Sequence, residues 1–214
     1  MHSCRSLALF IVLCLVGVFL LVFVNAVGIS FERLGLSQTA ALVLLFGALA
    51  GSSVNIPLYR RRFVAPSDEL DALAWFFYRP PVLRQQIIAI NLGGAVIPLG
   101  LAAYVAPRAP LGPMLLVTAC IALLCKLLAR PHVDVGITLP PLIPPITAAV
   151  LAHLLSPHNA APVAFVGGVV GTLVGADLLN LPAVLAMPAG ILSIGGAGVF
   201  DGIFLIGVIA VLLA

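Results

Sequence analysis

With 214 residues, 63% of them hydrophobic and only 8% charged, the chain lacks the charge of an ordinary soluble domain, where about 25% is usual. Its formal charge of +3 comes without a basic stripe carrying interleaved aromatics, which excludes a nucleic-acid surface. The composition points to a single transmembrane domain over residues 1–214, an all-α bundle of about seven segments, some broken by Pro or Gly.

The first apolar run covers residues 7–27. It exceeds the roughly 7–15 apolar residues of a signal peptide, so a retained helix is expected. Ser37 stands where it can cap the next helix. The second span is expected over 39–58, closing in Gly51, Ser52, Ser53, Asn55 and Pro57. In a helix, Pro57 would free a carbonyl one turn back, so that either Asn55 points into the bundle or the helix ends at the membrane surface.

Residues 59–85 form the longest polar link, with five arginines. Within it, 68–81 carries Trp75, Phe76, Phe77 and Tyr78, the composition of a helix lying in the membrane interface. The third span is expected over 86–105, with Asn91 in need of a polar partner, and the fourth over 113–129, ending at Lys126 and Arg130. The fifth, 136–155, contains Pro140, Pro141, Pro144 and Pro145. That density predicts non-helical chain through these four prolines, and at membrane depth such chain must be buried in protein or line a cavity.

The sixth and seventh spans, about 160–181 and 191 to the end, carry two carboxylates, Asp177 and Asp201. Gly175, Gly198 and Gly202 thin the backbone beside them, and Asn180 follows Asp177 closely. An Asp at the centre of a span costs about 2.5–3.5 kcal/mol on insertion scales, so it usually faces a protein interior or wet cavity with a partner. Consecutive antiparallel segments place Asp177 and Asp201 at comparable depth, as a candidate shared catalytic site. Asn55, Asn91 and Asn180 are its candidate polar shell. Cys4, Cys14, Cys120 and Cys125 have no metal-ligand spacing, so no metal and no cofactor are expected.

Basic residues sort by side. Arg5, the arginines of the long link, Lys126 and Arg130 fall on one side, and Arg33 and Arg108 on the other. The positive-inside rule predicts a multi-pass cell-membrane protein with a cytoplasmic N-terminus and its C-terminus outside.

The strings from Gly195 to Leu213, Gly175 to Pro182 and Asn55 to Tyr59 resemble an uncharacterised family of prokaryotic polytopic membrane proteins, catalogued as domain of unknown function number 1614. The resemblance covers most of the chain from the second span onward and implies no particular reaction. A looser one is to intramembrane aspartyl proteases of the presenilin and prepilin-peptidase type, which carry one Asp in each of two neighbouring helices, the second within Gly-x-Gly-Asp. Here Val199 and Phe200 separate Gly198 from Asp201, and Asp177 follows Ala176 where that pattern has a tyrosine.

Three functions are compatible with these residues. Two close carboxylates sharing a proton could serve as general base and general acid in peptide-bond hydrolysis inside the membrane. Broken segments with buried Asp also suit a small proton- or ion-coupled permease, its lining completed in a homo-oligomer. Interhelical polar contacts alone would make a structural or assembly protein. The expected partners are the lipid bilayer and either a membrane peptide or a small solute.

Overall fold

The structure is a computed structural model that describes residues 2–64, 83–132, 136–186, 191–196 and 202–214. Helix α1, His2–Arg33, is a 32-residue Leu- and Val-rich rod, about 48 Å long at 1.5 Å per residue. Leu9, Phe10, Leu15 and Phe19 are exposed, whereas Val27 and Phe31 are buried in the bundle. Asn25 satisfies its amide within its own helix, donating to the Leu21 carbonyl at 2.7 Å. Ser37 caps α2, Gln38–Gly51: its hydroxyl accepts the Ala40 N–H at 3.2 Å.

Helix α2 then stops well short of residue 58. After Gly51 the chain turns and becomes strand β1, Asn55–Val64, which pairs antiparallel with β2, Leu83–Asn91. The expected second and third spans therefore each exchange helix for strand at the same end. Ile56, Tyr59, Ile87, Ile88 and Ile90 favour extended chain, and Pro57, which has no N–H to give a ladder, sits at a register shift between Pro57 and Tyr59. The interfacial helix expected over 68–81 lies outside the described residues.

From Asn91 the chain passes through a π-helical turn, Leu92–Val96, into α3, Ile97–Val105. Helix α4, Leu111–Leu128, follows, and a short ladder joins β3, Arg130–His132, to β4, Gly136–Thr138. Pro140 and Pro141 lie in non-helical chain, but Pro144 and Pro145 fall in the first turn of α5, Ile143–Leu155, and are buried. The expected break is thus shorter than drawn from sequence. The first helical turn has N–H groups without intrahelical partners, so proline is tolerated there.

Helix α6, Ala160–Thr172, runs into a second π-helical turn, Leu173–Leu178. The short α7, Leu181–Leu185, strand β5, Ile191–Ile194, and α8, Gly202–Leu213, complete the chain. Strand β5 joins β2 in parallel, so β2 is the middle of a sheet ordered β1-β2-β5.

The bulk of the protein is helical and its strands gather at one end of the bundle. Among the described residues, three helices are long and apolar enough to cross a membrane: Leu9–Arg33, Leu111–Leu128 and Pro157–Leu178. Four shorter apolar helical stretches accompany them, Gln38–Gly51, Leu92–Arg108, Ile143–Leu155 and Gly202–Leu213. At the end opposite the sheet, the turns after α1, α3 and α5 come together around one pocket. There Arg33 Nη1 donates to the Val211 and Leu212 carbonyls, closing the last turn of α8.

Helix α6 is the centre of the core. Val163, Ala164, Phe165 and Val169 are fully buried. One α6 face is formed by Gly167, Gly171 and Gly175 at four-residue spacing, and it lies directly on α4. A Cβ on Gly171 would stand 2.7 Å from the Ile121 Cβ and 2.8 Å from the Thr118 carbonyl oxygen. A Cβ on Gly175 would stand 2.8 Å from the Ala122 Cα. Backbones approach this closely only where side chains are missing.

A prediction follows for this face. Gly171→Ala and Gly175→Ala should each destabilise the protein in detergent by about 1–3 kcal/mol through overpacking. Gly100→Ala, where a Cβ would meet nothing within 4 Å, should be neutral or stabilising. Thermal unfolding of the purified variants reads the difference.

Candidate functional site

Asp177 sits in the π-helical turn that ends the α6 stretch. Its Oδ2 accepts the Gly195 N–H at 2.8 Å, and among the described residues its other oxygen takes no hydrogen bond. Gly195 ends β5 with φ of 86°, a conformation that L side chains rarely adopt. A Cβ there would also lie 2.6 Å from the Ala95 Cβ and 2.8 Å from the Ala95 nitrogen. Three breaks therefore touch at this point: the π-turn after α6, the end of β5, and the π-turn before α3.

A second polar cluster lies beside it. Asn91 is buried, and its Nδ2 donates to the Ser52 carbonyl at 2.7 Å and to Asn55 Oδ1 at 3.1 Å. Its Oδ1 accepts the Gly94 N–H at 2.8 Å, which caps the π-turn. The Ser193 hydroxyl, from β5, donates to Asn55 Oδ1 at 2.6 Å. Ser193 is paired in register with Ala89 of β2, whose small side chain lets Ser193 and Asn55 meet across the middle strand.

Asn180 forms a third cluster. Its Nδ2 donates to the Gly175 and Ala176 carbonyls at 3.1 and 2.9 Å, closing the end of the α6 stretch. Lys126 Nζ donates to Asn180 Oδ1 at 2.7 Å and to the Leu179 carbonyl at 2.6 Å. One turn along α6, the Cys125 thiol donates to the Thr172 hydroxyl at 3.6 Å.

Of the proposed polar shell, Asn55 and Asn91 are directly bonded, and β5 links them to the Asp177 region through Ser193 and Gly195. Asn180 stands apart, engaged with Lys126. Gly175 contacts α4, and Gly202 opens α8 with free space around it. Gly198 and Asp201 lie outside the described residues, and with them the separation of the two carboxylates. Pro140 and Pro141 precede α5 and Pro144 and Pro145 begin it, as described above. Sequence reasoning missed Ser52, Ser193 and Lys126 as members of these networks. A serine within an apolar strand, followed by two glycines, was the available signal for Ser193. Among the described residues no group of three His, Cys, Asp or Glu could hold a metal ion.

The networks predict unequal costs. Asn91→Leu strands the Ser52 carbonyl and the Gly94 N–H in the core and should cost about 1–3 kcal/mol. Ser193→Ala removes one partly exposed bond and should stay within about 0.5 kcal/mol. Denaturant unfolding of both variants in the same detergent would rank them.

Comparison with curated proteins and with solved structures found no match. One family model does match, over residues 49–213, from the last turn of α2 to the end of α8. That stretch holds every residue of the three polar clusters and well over half of the chain. The protein therefore belongs to the family described as Protein of unknown function (DUF1614).

Proposed function

We propose that the protein is a multi-pass cell-membrane protein in which Asp177 and Asp201 form an aspartyl centre that hydrolyses membrane peptides. The observation that carries this reading is the bond from Gly195 N–H to Asp177 at the end of β5. Strand β5 is an edge strand, paired only with β2 among the described residues. A peptide bond must be in extended chain to be attacked, and an open strand edge is a ready template for extended chain. A substrate segment laid along β5 would bring its backbone to Asp177.

The chemistry needs two carboxyl groups. One carboxylate takes a proton from water as its oxygen attacks the scissile carbonyl carbon. The other, protonated, delivers its proton to the amide nitrogen as the C–N bond breaks. Asp201 immediately precedes Gly202, the first residue of α8, and is six residues beyond Gly195. The proline-bearing chain before α5 would flank the same end of the bundle.

The seven apolar stretches are taken as seven membrane segments, the shorter ones completed by extended chain at the sheet end. Arg60, Arg61, Arg62, Arg84, Lys126 and Arg130 belong to that end, which the positive-inside rule assigns to the cytoplasm, with the C-terminus outside. A second reading, a small proton- or ion-coupled permease working as a homo-oligomer, is favoured by the two π-helical turns. Such breaks present backbone carbonyls at depth, as carriers use them.

A reporter fused after Ala214 should be active outside the cytoplasm, and a cytoplasmic signal would overturn the orientation. Reconstituted protein should cleave a membrane-spanning test peptide, with loss of about a hundredfold or more in Asp177→Asn and in Asp201→Asn. Proton-dependent solute uptake without cleavage would instead select the permease. Absence of both would leave the Asp177 bond as interhelical glue.

A further inference from the structure

A pocket of about 480 Å³ opens at the end of the bundle opposite the sheet, lined by Glu32, Arg33, Arg108, His158, Ala160 and Ala161 among others. Among the described residues, Arg33 and Arg108 are the arginines or lysines at this end, and both line the same pocket. They reach it from different turns, one after α1 and one after α3.

Both guanidinium groups are held in place by neighbours that leave donors free. Arg33 uses Nη1 on the Val211 and Leu212 carbonyls. Arg108 uses Nη1 on the Tyr104 carbonyl at 3.1 Å and lies 4.3 Å from the centre of the Tyr104 ring. The remaining N–H groups of each fork are available for an anion, and guanidinium suits phosphate oxygens. Helix α6 also begins here, and Asn159 gives it no side-chain cap. The N–H groups of Ala160 and Ala161 thus add partial positive charge at the pocket wall.

Glu32 lines the pocket as well, yet among the described residues it forms no ion pair with either arginine. Unpaired charges of both signs around one opening describe a receptor for a ligand that carries both. We infer that this pocket binds a phosphate-bearing zwitterion. Its phosphate is held by Arg33, Arg108 and the start of α6, and its ammonium by Glu32. In the membrane topology proposed above, on which this step rests, the helix ends lie at headgroup level, so the ligand is either a zwitterionic lipid headgroup or a soluble molecule with the same two groups. This site lies at the end of the bundle opposite Asp177 and is independent of it.

The test uses the full chain in detergent, with phosphoethanolamine, inorganic phosphate and ethanolamine as probes, read by the shift in unfolding temperature. Phosphoethanolamine should shift the wild-type protein most. Arg108→Gln should weaken phosphoethanolamine and phosphate by about tenfold or more. Glu32→Gln should keep the phosphate response and erase the advantage of phosphoethanolamine. Arg62→Gln, at the other end, should change neither. Native mass spectrometry from nanodiscs separates the sources. Retention of phosphatidylethanolamine over phosphatidylglycerol identifies the headgroup, whereas a phosphoethanolamine shift without lipid preference identifies a soluble ligand. No shift with phosphoethanolamine, or one unchanged in both Arg108→Gln and Glu32→Gln, would overturn the inference.

Discussion

In a bundle this apolar, the controlling constraint is the hydrogen-bonding requirement of the backbone wherever a helix breaks. Lipid offers no partner for a free N–H or carbonyl, and each one left bare costs several kcal/mol. The chain breaks helix at Gly51, Leu92 and Leu178, all at one end, and polar side chains meet the breaks. Asn91 serves both the carbonyl of Ser52 and the N–H of Gly94. Asn180 takes the carbonyls of Gly175 and Ala176, and Lys126 takes that of Leu179. Asp177 takes the N–H of Gly195. The strands follow the same logic, since a ladder satisfies backbone that is no longer helical.

That arrangement depends on close packing around α6. The glycine face at 167, 171 and 175 lets α4 approach to backbone contact, which brings Lys126 beside Asn180. Gly207 does the same for α8, where a Cβ would stand 2.7 Å from the Val169 Cγ2. On the far side, Ser30 of α1 donates to the Val208 carbonyl at 3.2 Å, and Phe31 packs on Phe204 with ring centres 6.1 Å apart. The result is a well-tied bundle with its described strands and π-helical turns at one end.

The helical class, with helices apolar enough to cross a membrane, was legible because it needs only long apolar runs and few charges. The polar residues that make these hydrogen bonds were conspicuous too, since Asn55, Asn91, Asp177 and Asn180 stand out in such a background. Their grouping was not. Asn55 meets Ser193 across 138 positions of chain, a pairing set by the parallel alignment of β2 with β5. The strands themselves were hidden because Ile-rich runs such as 87–90 read equally as buried helix or strand. The length of the proline break was overestimated for a related reason: Pro144 and Pro145 are poor inside a helix but acceptable in its first turn.

Asp177 is where the structural role meets the proposed chemical one. A carboxylate that only closes a break would be expected to spend both oxygens on backbone donors. Here one oxygen is bonded to Gly195 and, among the described residues, the other is not. Lys126, the basic residue nearest in the fold's hydrogen-bond network, is turned to Asn180 and Leu179 and does not neutralise it. The same bond that anchors the end of β5 therefore fixes a carboxyl group with no charged partner among the described residues, beside a strand edge that no described strand covers. Fixing the strand and orienting the acid are then one interaction, and losing either would lose both.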